Sequence, residues 1–307
     1  MSKKADVRQV VSNLIEACRA GDIEPLVPVP KVPKEPQKSR RTECEHLLLF
    51  SDLQAGLKTP SFGKEVIKRR VQTLANGVRE ILHAQRKARP INKLNIAFLG
   101  DMVHGEKIGI NVNWAELEDS VKAQAFHRAA PACYDLIRAM LAEYPEIEAV
   151  GVPGNHGILG RDAHYDTNWD LITYEVAAAK LEEQSNVKFT VSEDFCAKQT
   201  IFDTRFFFWH GHQVMMRGIV PIYGIQRDVA KWAQSEGPFD VSCLGHFHTF
   251  HNWEHNGIEV FVNGTFLTDD RWTREYIKTT PSMIQVLLTI HPKRGVIDCK
   301  KVALEAV

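Results

Sequence analysis

Five short apolar runs in this chain end abruptly in side chains that can bind a metal ion: LLLFSDLQ, IAFLGDMVHG, AVGVPGNHG, FFFWHGHQ and VSCLGHFH. In chain order the candidates are Asp52 and Gln54, Asp101, Asn155 with its neighbour His156, His210 and His212, then His246 and His248. Carboxylates, amide oxygens and imidazoles together suit divalent manganese, iron or zinc, and there are enough of them for two ions. Taken alone, an Asp after an apolar run reads as a cap or turn residue. Joint occurrence at the ends of five runs points instead to one site at the carboxyl edge of a sheet, where open α/β folds usually build theirs.

The elements that must position these residues follow from periodicity. Apolar runs predict strands at His46 to Ser51, Leu94 to Leu99 and Ala149 to Val152. Between them, three-and-four spacing predicts a helix within Phe62 to Arg89 and another from about Trp114 to Ala142, which Pro131 should kink or break. Such alternation implies an α/β sheet covered by helices on both faces. A helix near Trp169 to Leu181 precedes strands at Val187 to Val191, Lys198 to Ile201 and Phe206 to Trp209. A further helix lies around Ile222 to Gln234, and MIQVLLTI and GVIDCKKVAL read as closing antiparallel strands.

Ahead of this domain, Val7, Val10, Val11, Leu14, Ile15 and Cys18 share one face of a short amphipathic helix with Gly21 as its stop. Pro25, Pro28, Pro30, Pro33 and Pro36 then impose an extended, semi-rigid spacer. The expected division is a helix over residues 1–21, a proline-rich basic linker over 22–43 and the main domain over 44–307. The helix could dock a partner or a second subunit, or pack back on its own domain.

Lysine plus arginine and aspartate plus glutamate number 38 each, so total charge advertises no polyanionic partner. The six cysteines are scattered without a CxxC pair, which fits reduced, mostly buried thiols rather than a secreted framework. The N-terminus lacks the apolar core of a signal peptide, and no apolar span is long enough to cross a bilayer. A soluble cytoplasmic protein with no membrane partner is expected.

The ordered series D-x-Q, GD, GNH, HG and GHxH resembles the calcineurin-like metallophosphoesterase superfamily over roughly residues 44–265. The resemblance implies an α/β fold, a four-layer αββα sandwich, holding two divalent ions. By motif, Asp52 and His248 would hold the first ion, Asp101 would bridge both, and Asn155, His210 and His246 would hold the second. HGH offers His212 as an alternative to His210. Gln54 stands where most members place a histidine. Its carbonyl oxygen would harden the first site, which favours manganese over zinc or iron; alternatively it orders a water. His156 matches the non-ligand histidine that steadies the phosphoryl group or protonates the departing oxygen. Many members follow it with an acid, where this chain has Gly157, so another group must orient the ring. The implied reaction is direct attack on phosphorus by a hydroxide bridging the ions, without a covalent intermediate.

The substrate is less constrained. Protein Ser/Thr phosphatases read GDxVDRG, and the missing arginine disfavours that class. GDMVHGEK lacks the lysine and hydroxyl placement of a nucleotide-binding P-loop. Arg161, His164 and Tyr165, His104 and Arg217 are candidate substrate contacts, or ordinary loop residues. His251 and His255 fall on an expected hairpin, away from ligation. Lys64, Lys68, Arg69, Arg70, Arg79, Arg86, Lys87 and Arg89 make one helix basic, either a track for a nucleic-acid backbone or a solvated face. The pattern also resembles phage metallophosphoesterases, acting in a host cytoplasm, and more distantly the nucleases of double-strand-break repair and the small subunit of archaeal replicative polymerases. It implies a phosphodiesterase or nuclease acting on DNA or another nucleotide phosphodiester. The alternatives are a small-molecule phosphatase or cyclic-nucleotide phosphodiesterase, and a non-catalytic binding subunit on the same fold.

Overall fold

The structure is a computed structural model, and it describes residues 41–106, 116–160, 163–215, 221–268 and 273–305. The expected N-terminal helix and nearly all of the linker lie outside the described residues. In chain order the regular elements are β1 (Cys44–Phe50), α1 (Lys64–Arg86), β2 (Ile91–Phe98), α2 (Val121–Gln124), α3 (Ala130–Met140), β3 (Glu146–Gly151), α4 (Trp169–Leu181), β4 (Val187–Val191), β5 (Cys196–Ile201), β6 (Thr204–Trp209), α5 (Ile222–Ser235), β7 (Val241–Leu244), β8 (His251–His255), β9 (Ile258–Val262), β10 (Ile284–His291) and β11 (Gly295–Ala303).

The strands form two sheets. One has the order β11-β10-β1-β2-β3-β4, with β1 to β4 parallel and β10 and β11 antiparallel at one side. The other has the order β5-β6-β7-β9-β8, with β6, β7 and β9 parallel and antiparallel strands at both edges. Parallel strands start and stop together, so the ends of β1, β2 and β3 align along one edge, as do those of β6 and β7.

Three buried clusters define four layers. Successive strand residues point to opposite faces, so Leu48 and Phe50 of β1 pack outward against Leu74, Val78 and Leu82 of α1. Leu47 and Leu49 point inward with Ala97 and Val150 to meet Phe206, Phe208, Val241 and Phe261 of the second sheet. The outer face of that sheet buries Phe207, Trp209, Val260 and Val262 against Ile225 and Val229 of α5. The architecture is the αββα sandwich. The expectation of helices on both faces of one sheet is therefore corrected: each sheet carries helices on one face and its partner sheet on the other. Strands covered on both faces read as unbroken apolar runs whichever layer covers them.

Pro131 does not break its helix. The chain stays helical from α2 to α3 through a π turn, Ala125–Ala129, in which the Ala130 N–H reaches back to the Ala125 carbonyl oxygen. Widening the turn just before the proline absorbs its missing donor and its ring within a helical path. The bounds of α4 and β4 match the expectation. Cys44, Cys133, Cys196 and Cys243 are buried, and all five described cysteines are free. No helix among the described residues is long and apolar enough to cross a membrane.

Candidate metal centre

The ligand candidates sit where the parallel strands stop, on loops sewn together by backbone hydrogen bonds. The Asp52 N–H donates to the Gly100 carbonyl at 3.1 Å, and that of Gln54 to the Asp101 carbonyl at 2.9 Å. Across the seam between the sheets, the Phe266 N–H donates to the Asp52 carbonyl at 3.1 Å. These turns are tight. Five of the eight non-glycine residues with positive φ among the described residues are Asp52 (54°), Gln54 (45°), Asp101 (55°), His246 (71°) and His248 (55°). Left-handed backbone costs an L-residue on the order of 1–2 kcal/mol, and such strain gathers where the surroundings hold a side chain in a required direction.

Asp101, His210 and His246 each offer a ligand atom, all within 4.8 Å of one another. His210 Nδ1 lies 2.7 Å from the Leu99 carbonyl oxygen, which can only accept, so Nδ1 carries the hydrogen. When the ring is neutral, the lone pair of Nε2 faces Asp101 Oδ2 at 3.0 Å and Asn155 Oδ1 at 3.1 Å. Asp101 Oδ2 is buried and, when His210 Nε2 is bare, has no hydrogen-bond donor among the described residues. Lone pairs converging there call for a cation, either a proton on Nε2 or a metal ion. The residues fit a divalent ion: second-partner fixation of the imidazole by a carbonyl is how metal-binding histidines are held.

Without an ion, the electrostatics put a proton on His210 Nε2, in the place a metal would take. Burial works against charge on Asp101, but the His156 and His210 rings hold its carboxyl well below the usual carboxylate range. Burial opposes protonation of His210 too, yet Asp101 outweighs it and raises His210 to about 9. Burial, and then the charge on His210, push His246 well below its ordinary value.

The second grouping is Asp52, His248 and Gln54. His248 Nε2 lies 3.3 Å from Asp52 Oδ1, and both Asp52 oxygens accept the His246 N–H, at 3.2 and 3.1 Å. Gln54 spans two histidines. Its nitrogen is 3.2 Å from His248 Nε2 and its oxygen 3.1 Å from His104 Nδ1. The oxygen thus faces His104, and a half-turn of the terminal amide would present it to the Asp52 and His248 pair instead.

His156 lies beside this centre. Its N–H donates to Asp101 Oδ1 at 2.9 Å, and its Nε2 is 3.7 Å from Asp101 Oδ2. The ring is oriented by the His104 carbonyl oxygen, 3.0 Å from Nδ1, and the His104 and His156 rings lie 5.2 Å apart. Gly157 has no room for a side chain, because a Cβ there would stand 2.2 Å from Asn168 Oδ1. His212, the alternative to His210, has its ring 5.6 Å from that of His210. Burial, then the His210 charge, lower it to about 4, and its Nδ1 has no hydrogen-bond partner among the described residues. Arg161 and Arg217 lie outside the described residues.

The basic helix does not present an open stripe. Arg70 is fully buried and donates to the Phe266 carbonyl, to Thr268 Oγ1 at 2.6 Å and to the Glu305 carboxylate. Arg79 and Arg86 turn to Glu143, and Lys64 N–H to Glu118. Only Lys64, Arg69 and Lys87 of the eight are exposed.

One residue that the sequence reading passed over is Asp170. Fully buried in the first turn of α4, it accepts the backbone N–H groups of Asp101, Met102, Val103 and Gly154. Burial and the Asp101 charge push it up to about 6 in spite of those donors. In the sequence it reads only as an acid following a helix cap, which Asn168 is: its side chain accepts the Asp170 N–H at 2.8 Å.

No protein-family model and no curated protein matches this chain. Similar solved structures include an archaeal phosphodiesterase at 11% identity, over 84% of this chain and 98% of that one, with a TM-score of 0.35. Another is Vps29 from Entamoeba histolytica complexed with Zn²⁺, at 12% identity over 85% and 99%, with a TM-score of 0.34. A hypothetical protein from Pyrococcus horikoshii OT3 is similar at 9% identity over 85% and 89%, with a TM-score of 0.41. Likeness at this level has no bearing on what the chain does.

Proposed function

We propose that this chain is a metal-dependent phosphoester hydrolase whose substrate is a phosphodiester of DNA or of another nucleotide. The observation that carries the reading is the convergence of ligand atoms from Asp101, His210 and His246 within 4.8 Å of one another, with Asn155 Oδ1 3.1 Å from His210 Nε2. Asn155, His210 and His246 would hold one ion, Asp52 and His248 the other, with Asp101 shared between them and Gln54 at the edge of the latter. Bound there, divalent ions neutralise phosphoryl oxygens and make a water nucleophilic near neutral pH. Their oxygen-rich donors favour manganese.

The side chains of the protein supply the rest. Asp52, Asp101 and His210 are buried, whereas His104, His156 and His246 are part-exposed, so the phosphoryl group enters on the side of those three rings. With Nδ1 of His156 committed to the His104 carbonyl, Nε2 is the atom left to hold or release a proton. At that position it can deliver a proton to the departing oxygen.

A base-bearing substrate is supported by the apolar surface. Ile158, Leu159, Met215 and Tyr223 are the exposed large hydrophobic residues among the described residues, Tyr223 at 75%. Ile158 and Leu159 follow His156 closely, Met215 follows His212, and α5, which carries Tyr223, packs its Gly224 against Val214. Unstacked bases lie down on such surfaces. The charges drawn inward from α1 favour short or single-stranded substrates over a duplex tracked along its backbone.

The test is a panel of bis(p-nitrophenyl) phosphate, p-nitrophenyl phosphate, cyclic nucleotides, and single- and double-stranded DNA, run with Mn²⁺ and after chelation. Diesters and single-stranded DNA should be cut, and chelation should stop the cutting. Cleavage of the monoester alone would make it a small-molecule phosphatase, and no cleavage with no bound metal would make it a binding protein.

A further inference from the structure

We propose that Asp170 is a positioning residue: a built-in anion that sets the spacing between the loop carrying Asp101 and the loop carrying Asn155. This rests on the reading of those two residues as ligands. Asp170 Oδ2 accepts the N–H of Asp101 and the N–H of Gly154, both at 2.8 Å, and Gly154 immediately precedes Asn155. Oδ1 accepts the N–H of Met102 at 2.9 Å and of Val103 at 3.2 Å.

Three successive N–H groups aimed at one carboxylate form a concave anion site of the kind that elsewhere holds phosphate. Here a side chain fills it. Because the first N–H belongs to Asp101, whose φ is 55°, the carboxylate also pins the left-handed turn that directs the Asp101 side chain.

The helix is anchored so that the carboxylate cannot drift. Asn168 Nδ2 donates to the Gly154 carbonyl at 2.9 Å, and the Trp169 N–H to the Gly157 carbonyl at 2.9 Å. The four described groups that bond to the carboxylate are all donors, so an amide of the same shape is wrong for the site. Its NH₂ would face N–H groups with nothing to accept from it.

The experiment is a titration of the full chain with Mn²⁺ by calorimetry and electron paramagnetic resonance at one pH, together with the thermal midpoint. Wild type is compared with Asp170→Asn and with Val78→Ala, a core truncation in α1 outside the ligand loops. Asp170→Asn should bind Mn²⁺ about ten- to a hundredfold more weakly, while Val78→Ala, though less heat-stable, keeps wild-type affinity. Unchanged affinity in Asp170→Asn overturns the proposal, as does an equal loss in Val78→Ala. If Asp170→Asn does not fold, Asp170→Glu decides: it keeps the charge but displaces it by a methylene, and wild-type affinity there overturns the proposal. A wild type that binds no Mn²⁺ would instead overturn the metal-centre reading, and the first titration shows it.

Discussion

Nε2 of His210 stands 3.0 Å from Oδ2 of Asp101, across the seam between the two sheets, with its other nitrogen tied to the Leu99 carbonyl. The ring cannot turn away without losing that bond. Asp101→Asn keeps the shape but removes the charge that draws a cation to this point. Phosphodiester hydrolysis should fall by at least about a hundredfold and Mn²⁺ affinity by at least about tenfold. Calorimetry and steady-state kinetics on the folded variant check both.

His156→Ala separates proton delivery from metal binding. The backbone N–H that bonds Asp101 survives the change, so bound metal should be unaltered while kcat falls by about 10²- to 10⁴-fold. His104→Ala should cost less, because the carbonyl that orients His156 belongs to the backbone. Elemental analysis beside kcat measured on a poorly activated and an activated leaving group gives the comparison: the loss should shrink with the better leaving group.

Gly154→Ala addresses crowding. A Cβ at this position would stand 2.1 Å from Asp101 Oδ1 and 2.3 Å from the Asp101 nitrogen, so the loop would have to move. The expected outcome is a loss of about 2 kcal/mol in unfolding free energy together with loss of metal binding. Gly160→Ala, whose Cβ would meet nothing within 4 Å among the described residues, should change neither. Denaturant melts and Mn²⁺ titration of the two variants provide the test.

The strand ends and most helix bounds could be read in advance because strands buried on both sides stay apolar up to the sheet edge, where Asp52, Asp101 and His210 begin. What covers each face could not. Leu47 and Leu48 are equally apolar, though one meets the second sheet and the other a helix. Charge counting likewise missed that Arg70 turns inward, because its partners Phe266 and Glu305 come from the far end of the chain. Asp170 was hidden for the same reason: its role lies in N–H groups of Asp101 to Val103, which no local spacing links to it. The left-handed turns at His246 and His248 arise from packing between loops, not from residue type alone.

Away from the centre, His46 gives a pH-dependent stability. Its Nδ1 is 2.7 Å from the Tyr144 hydroxyl and its Nε2 2.7 Å from Gln85 Oε1, and burial lowers it from 6.5 to about 4. The folded protein holds the ring neutral while the unfolded chain protonates it more readily. Its contribution is present above pH 6.5 and is lost as pH falls toward 4, by up to about 3 kcal/mol. Chemical denaturation from pH 7.5 to 4 should show a steeper fall for wild type than for His46→Gln.

Asp52, Asp101 and Asn155 extend from one sheet, whereas His210, His246 and His248 extend from the other. An ion gripped by both groups would act as a cross-brace between halves that are also joined by apolar contact and by hydrogen bonds such as that from Gln199 to Asn95. Melting temperature should then climb with free Mn²⁺ concentration, and chelation should loosen the second sheet first, seen as faster amide exchange in β6 and β7 than in β1 and β2.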